Sequence, residues 1–174
     1  MATWQVDQAH SEVQFKVKHL MINTVTGEFT SYRASLTSEA EDMSDAAITF
    51  EADINSINTK NEMRDGHLKS DDFFSAEKFP TMTFVSTSLS PKGAGKYALI
   101  GNLMIRDVTK TVILDVEYGG TMVDFYGNTK AGFEITGAIN RKEFGLAWDA
   151  VTEAGGIVVS DTVKLVMNLQ MQKQ

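Results

Sequence analysis

An all-β fold, an eight-stranded antiparallel barrel with one short helix near residues 60–70, is predicted by three features of the sequence. Apolar residues alternate with polar ones over most of the chain, the mark of strands with one face buried. Turn chemistry separates these runs at short intervals, as at Ser90-Pro91-Lys92-Gly93-Ala94-Gly95, Arg106-Asp107 and Tyr126-Gly127-Asn128, which favours an antiparallel meander. A single segment, Glu62-Met-Arg-Asp-Gly-His-Leu-Lys-Ser-Asp-Asp-Phe-Phe74, replaces strand patterning with clustered ionisable groups.

The inward sets follow in chain order. Val13, Phe15 and Val17 alternate with Gln14, Lys16 and Lys18. Phe29 has the opposite parity to Tyr32, Ala34 and Leu36, so a bulge is expected near Ser31. Ile48, Phe50, Ala52 and Ile54 form the next set, and Met82, Phe84 and Ser86 the one after. Tyr97, Leu99, Gly101, Leu103 and Ile105 share a parity, as do Val112, Leu114, Val116 and Tyr118. Ala131, Phe133, Ile135, Gly137 and Ile139 precede the last set, Val163, Leu165, Met167, Leu169 and Met171. Eight strands with short connections suit a closed barrel. Thr59-Lys60-Asn61-Glu62 reads as a capping box, starting a helix from about Lys60 to Ser70. Gly66 inside it costs about 1 kcal/mol against Ala, so the helix is expected to be held by packing.

The 174 residues suit one domain, residues 1–174, and no linker or internal repeat interrupts them. No cysteine is present, which removes disulfides, thiol nucleophiles and cysteine metal sites. A net charge of −7 weighs against nucleic acid or an anionic membrane surface as the main partner. No integral membrane segment is expected, because no apolar run reaches about 18 residues. The start, Met-Ala-Thr-Trp, has neither a basic region nor an apolar stretch. A cytoplasmic location is therefore expected for the chain as given, or a periplasmic one if a leader has been removed. The sequence leaves a homodimer open.

Known catalytic patterns are absent: no nucleophile elbow, zinc-protease helix or phosphate-binding Gly-Lys loop occurs. Gly93-Ala94-Gly95 lies between strands and reads as a hairpin turn rather than a dinucleotide fingerprint. His10 and His19 fall on one predicted strand about 30 Å apart at 3.3 Å per residue, too far to share a metal. Arg64, Asp65 and His67 leave three readings open. They could tie the helix to the barrel, bind a polar head group, or do acid–base chemistry. Asp71 and Asp72 read as caps or solvated charges. The small residues Ala52, Gly101, Ala131 and Gly137 among large inward ones, with strand methionines, fit either a lumen for a flexible apolar guest or a filled taper.

These residues also carry a family resemblance over nearly the full length. Trp4, Asp7 and His10-Ser11, then Phe15, Lys18-His19-Leu20, Val25 and Gly27-Glu28-Phe29, resemble the opening of the YceI-like, polyisoprenoid-binding, lipocalin-like proteins. Arg64-Asp65-Gly66-His67-Leu68 with Asp72-Phe73-Phe74 resembles that family's most specific signature. Phe79-Pro80-Thr81-Met82-Thr83-Phe84, Gly101-Asn102-Leu103-Met104-Ile105-Arg106 and Arg141 with Phe144-Gly145-Leu146 continue the match. The segment 119–126 matches none of the family's blocks.

The resemblance implies an extended eight-stranded lipocalin-like barrel whose pore takes an isoprenoid chain, with no enzymatic role. Many members carry a signal peptide, and this chain departs from them there. The expected ligand is an amphipathic isoprenoid lipid, a polyprenyl phosphate or isoprenoid quinone, and no cofactor is expected. Its tail is placed against Phe15, Val17, Phe50, Ala52, Ile54, Phe84, Phe133 and Gly137, and its head at Arg64, Asp65 and His67. The rival expectations are an enzyme acting on a lipid or phosphate through His67 and Arg64, and a stress-related interaction module.

Overall fold

The computed structural model describes residues 2–148 and 159–174. Eleven strands join in one antiparallel sheet: β1 (Ala2–Val6), β2 (Glu12–His19), β3 (Asn23–Phe29), β4 (Tyr32–Ser38), β5 (Ala47–Asp53), β6 (Ile57–Asn58), β7 (Thr81–Gly93), β8 (Lys96–Ile105), β9 (Val108–Val123), β10 (Thr129–Asn140) and β11 (Val159–Lys173). Among the described residues there is one α-helix, α1 (Glu62–Lys69), which follows β6.

The sheet closes because β11 is long enough to pair with β10 on one side and with both β1 and β2 on the other. The strands β1 and β2, β3 and β4, and β5 and β6 are three chain runs, each broken once. Counted as runs, they make an eight-stranded meander, the barrel expected from the alternation. The break in the second run falls at Thr30 and Ser31, where the change of parity placed a bulge. The break in the first run corrects one expectation. Asp7 caps a 3₁₀ turn over Gln8–His10, so His10 sits on that turn and not on the strand that carries His19.

Every inward set predicted from alternation is buried or half-buried. The core is closely filled, with Leu36, Ile54, Leu99 and Phe144 each 2% exposed or less. Close packing sets where glycine is needed. A Cβ on Gly27 would lie 2.2 Å from the ring of Phe15, its cross-strand partner. One on Gly137 would lie 2.4 Å from Leu114 Cδ2. At these two positions, neighbouring side chains occupy the space a side chain would have filled. Gly93 and Gly95 sit at the β7–β8 turn with φ of 158° and 70°, so that glycine pair makes the expected hairpin.

The strand directions define two ends. One carries the β2–β3 tip, α1, the β8–β9 turn and the chain leading from β10 to Trp148. The other carries the loop between β4 and β5, the β7–β8 and β9–β10 tips, and the end of β11. Among the described residues, no helix is long and apolar enough to cross a membrane.

Candidate functional site at the barrel mouth

Helix α1 starts differently from the expectation. Asn61 is the N-cap, accepting from the backbone amide of Arg64 at 3.1 Å. Thr59 is not available for a capping box because it is buried and fully engaged. Its hydroxyl donates to Asp65, and its amide donates to the same carboxylate oxygen at 2.9 Å. Arg64 closes the knot, with Nε donating to the Thr59 hydroxyl at 2.8 Å and Nη2 to its carbonyl at 2.6 Å. The helix buries no residue completely. It is fixed by half-buried Leu68, which packs against the core as expected, and by this charge-assisted network, of the kind that outlasts neutral hydrogen bonds.

His67 lies on the same half-buried face. Its Nε2 donates to Asp72 at 2.9 Å. Its ring stands edge-on to Phe73 and Trp148, with centroids 5.1 and 4.8 Å away. Asp72 is thus a partner of His67, while Asp71 accepts from the Ser75 hydroxyl. Trp148 is held by Arg141, a buried side chain that donates to the carbonyls of Leu146, Trp148, Val159 and Ser160. Arg106 secures the same end, donating to the carbonyls of Gly145 at 2.9 Å and Phe73 at 3.3 Å.

Three cavities run inward from this end. The outermost, about 180 Å³, is bordered by Lys18, His19, Arg64, His67, Leu68 and Trp148 among others, and among the described residues by no carboxylate. A second, about 90 Å³, shares Phe15, Val17, Leu68, Phe73 and Val159 with the first. The innermost, about 80 Å³, shares Phe15, Phe29, Met82, Ile105, Ile139 and Leu165 with the second and ends among Leu99, Leu103 and Leu114. Phe15 borders all three. The lumen therefore begins cationic and becomes wholly apolar.

The expected site residues separate on this geometry. Phe15, Val17, Phe50 and Phe84 border the cavities. Ala52, Ile54, Phe133 and Gly137 do not: the first three are in the packed wall, and Phe133 stacks on Tyr118 with centroids 5.2 Å apart. Arg64 and His67 reach the mouth cavity, whereas Asp65 lies behind Arg64 on Thr59. Lys18, His19 and Trp148 were missed as site residues. Alternation places Lys18 on the outward face, and its position beside a strand end, next to a histidine, was the only signal.

A profile of the YceI-like domain matches residues 4–171. A UPF0312 protein of Staphylococcus aureus strain USA300 is 36% identical over 165 residues, covering 94% of both chains. The fold is similar to the crystal structure of BcnA from Burkholderia cenocepacia, with a TM-score of 0.83 at 24% identity, over 95% of this chain and 98% of that one. It is also similar to a polyisoprenoid binding domain from Saccharophagus degradans, with a TM-score of 0.75 at 16% identity over 98% of each chain. With a family match spanning almost every strand of the barrel, and a relative sharing a third of its residues, this chain belongs to the YceI-like family.

Proposed function

We propose that the barrel binds an amphipathic isoprenoid lipid, a polyprenyl phosphate or isoprenoid quinone, and stores or carries it without transforming it. The observation that carries this reading is the lumen itself: an apolar channel opening under Arg64, His67, Lys18 and His19, with no carboxylate on the mouth cavity among the described residues. The Saccharophagus domain, named for polyisoprenoid binding, supports it through the shared fold.

The tail lies along Phe15, Phe29, Met82 and Ile105 toward Leu99. Burial contributes about 0.8 kcal/mol per methylene, so several isoprene units outweigh the cost of ordering the chain. The head stays at the mouth. Among the described residues, Arg64 Nη1 and His67 Nδ1 have no hydrogen-bond partner, since Arg64 binds Thr59 through Nε and Nη2 and His67 binds Asp72 through Nε2. Arg64 Nη1 is a donor free to meet an acceptor-rich head group, a phosphate or a quinone carbonyl, whereas His67 Nδ1, with Nε2 donating to Asp72, accepts from a hydroxyl head in the neutral ring and donates to a phosphate only in the imidazolium form.

The enzymatic alternative would use the His67–Asp72 pair as a base. The Thr59 hydroxyl, which borders the same cavity, already donates to Asp65 and accepts from Arg64, which favours binding over nucleophilic chemistry.

The test compares affinity for a polyprenyl phosphate and the matching alcohol. Arg64→Ala should lose about 1.5–3 kcal/mol toward the phosphate. Arg64→Lys should recover part of it, because an ammonium lacks the guanidinium fork. Equal affinity of the native protein for phosphate and alcohol would remove the anion site. Loss of melting temperature with unaltered affinity would make Arg64 a structural tie alone.

A further inference from the structure

The β2–β3 tip breaks a local rule without compensation from packing. Leu20 and Met21 hold φ of 54° and 59°, a left-handed conformation that suits glycine and asparagine and strains larger side chains. Strain of this kind persists in a core when burial offsets it. Here Leu20, Met21 and Ile22 are 40%, 60% and 85% exposed. Three apolar side chains thus stand in solvent at a turn where polar residues would fit better, and a local rule broken without packing gain points to function.

The tip adjoins the mouth. Lys18 and His19, just before it, and Val25, just after it, border the outermost cavity. Met63 on α1, next to Arg64, is exposed at the same end. The charge of the hairpin is opposite to that of the chain. Between Val13 and Gly27 stand Lys16, Lys18 and His19 and no Asp or Glu, in a protein of net charge −7. The net charge weighs against adsorption over the whole surface, and it leaves this hairpin as a cationic, apolar-tipped projection.

We infer that the β2–β3 tip docks on a lipid bilayer, with Leu20, Met21 and Ile22 entering the interface and Lys16 and Lys18 facing anionic head groups, so that the mouth opens onto the membrane. Apolar side chains flanked by lysines are the chemistry of interfacial binding. The inference rests on the lumen taking a lipid that resides in a bilayer. A second exposed apolar tip, Phe125 and Tyr126 between β9 and β10, lies at the opposite end. It provides an internal control.

The experiment is co-sedimentation of the full chain with vesicles of phosphatidylcholine, alone or mixed with phosphatidylglycerol, containing no isoprenoid. The native protein should bind, more tightly to the mixed vesicles. A triple variant, Leu20→Asn, Met21→Gly and Ile22→Ser, should lower partitioning about tenfold. Because asparagine and glycine relieve the positive φ, its melting temperature should hold or rise, so misfolding cannot mimic the result. Lys16→Glu with Lys18→Glu should abolish the preference for phosphatidylglycerol. Phe125→Ser with Tyr126→Ser should leave binding intact.

A native protein that ignores both vesicles, a triple variant that binds as well as the native chain, or equal loss in the variant changed at Phe125 and Tyr126 would overturn the inference. The cavity reading fails separately. Vesicle binding by a protein that carries no isoprenoid would overturn the lumen's role, and an isoprenoid-loaded protein that ignores vesicles would overturn the docking alone.

Discussion

The two ends of the barrel are closed by different physics. At the floor, the loop between β4 and β5 folds inward, burying Met43 and Ala46 in the core. Tyr97 donates to the Asp42 carbonyl at 2.7 Å, and Asp45 gathers the Ser38 hydroxyl with the amides of Glu39 and Ala40. Apolar packing and a satisfied carboxylate make a stopper. At the mouth, α1 buries nothing completely, and it is held by Thr59, Asp65 and Arg64 over a cavity lined with cations. The same sheet therefore has one end built for stability and one that leaves donors facing a channel. Low local burial combined with unpartnered polar groups is where binding sites are expected to collect.

The largest effect should come from the floor. Met43→Ala removes a buried side chain, and core truncations of this kind cost about 2–5 kcal/mol. Chemical denaturation should show that loss, while the ratio of affinities for phosphate and alcohol heads stays unchanged. A changed ratio would mean that the ends are not independent.

A smaller effect is expected between the ends. Gly137→Leu forces Leu114 to move, since even a Cβ there would lie 2.4 Å from its Cδ2. Leu114 borders the innermost cavity, so its displacement should shorten the channel. Overpacking costs about 1–3 kcal/mol, and lipid retained by the purified variant should fall. Unchanged lipid content with a lower melting temperature would mean that the tail stops short of Leu114.

The smallest effect is a pH dependence confined to the floor. Hydrogen bonds from the Ser38 hydroxyl, then from the amides of Glu39 and Ala40, lower the Asp45 carboxyl from 3.8 to about 2. Because the folded value is depressed, the stabilisation is complete above the ordinary value and is lost as pH falls toward 2. Amide exchange in residues 39–46 should quicken over that interval and should be insensitive to it in Asp45→Asn. The same acid response in that variant would place the effect elsewhere.

The barrel was legible in the sequence because one physical signal, period-two burial, recurs along most of the longer strands. Even the break at Thr30 and Ser31 showed in the parity change between Phe29 and Tyr32, where a bulge was expected. The local misreadings share a cause. Thr59 and Glu62 had the spacing of a capping box, yet the Thr59 hydroxyl bonds Asp65 and Arg64, and Asn61 takes the cap. His10 seemed continuous with β2 because nothing in the alternation marked Asp7 as the cap of a 3₁₀ turn. Competition among several polar side chains for one backbone group is settled by geometry that spacing does not encode. The mouth was legible only in its helical half. Arg64 and His67 stand together in sequence, whereas Lys18 and Trp148 join them only when β2 and the chain after β10 meet at one end of the barrel.

The central claim is that the apolar lumen holds an isoprenoid tail with its head at the cationic mouth. The most direct measurement is mass spectrometry of an organic extract from the purified protein, made in parallel with Gly137→Leu. The account predicts an isoprenoid lipid in stoichiometric amount from the native chain and a marked loss from the variant. An extract holding no lipid, or straight acyl chains in place of isoprenoids, would contradict it.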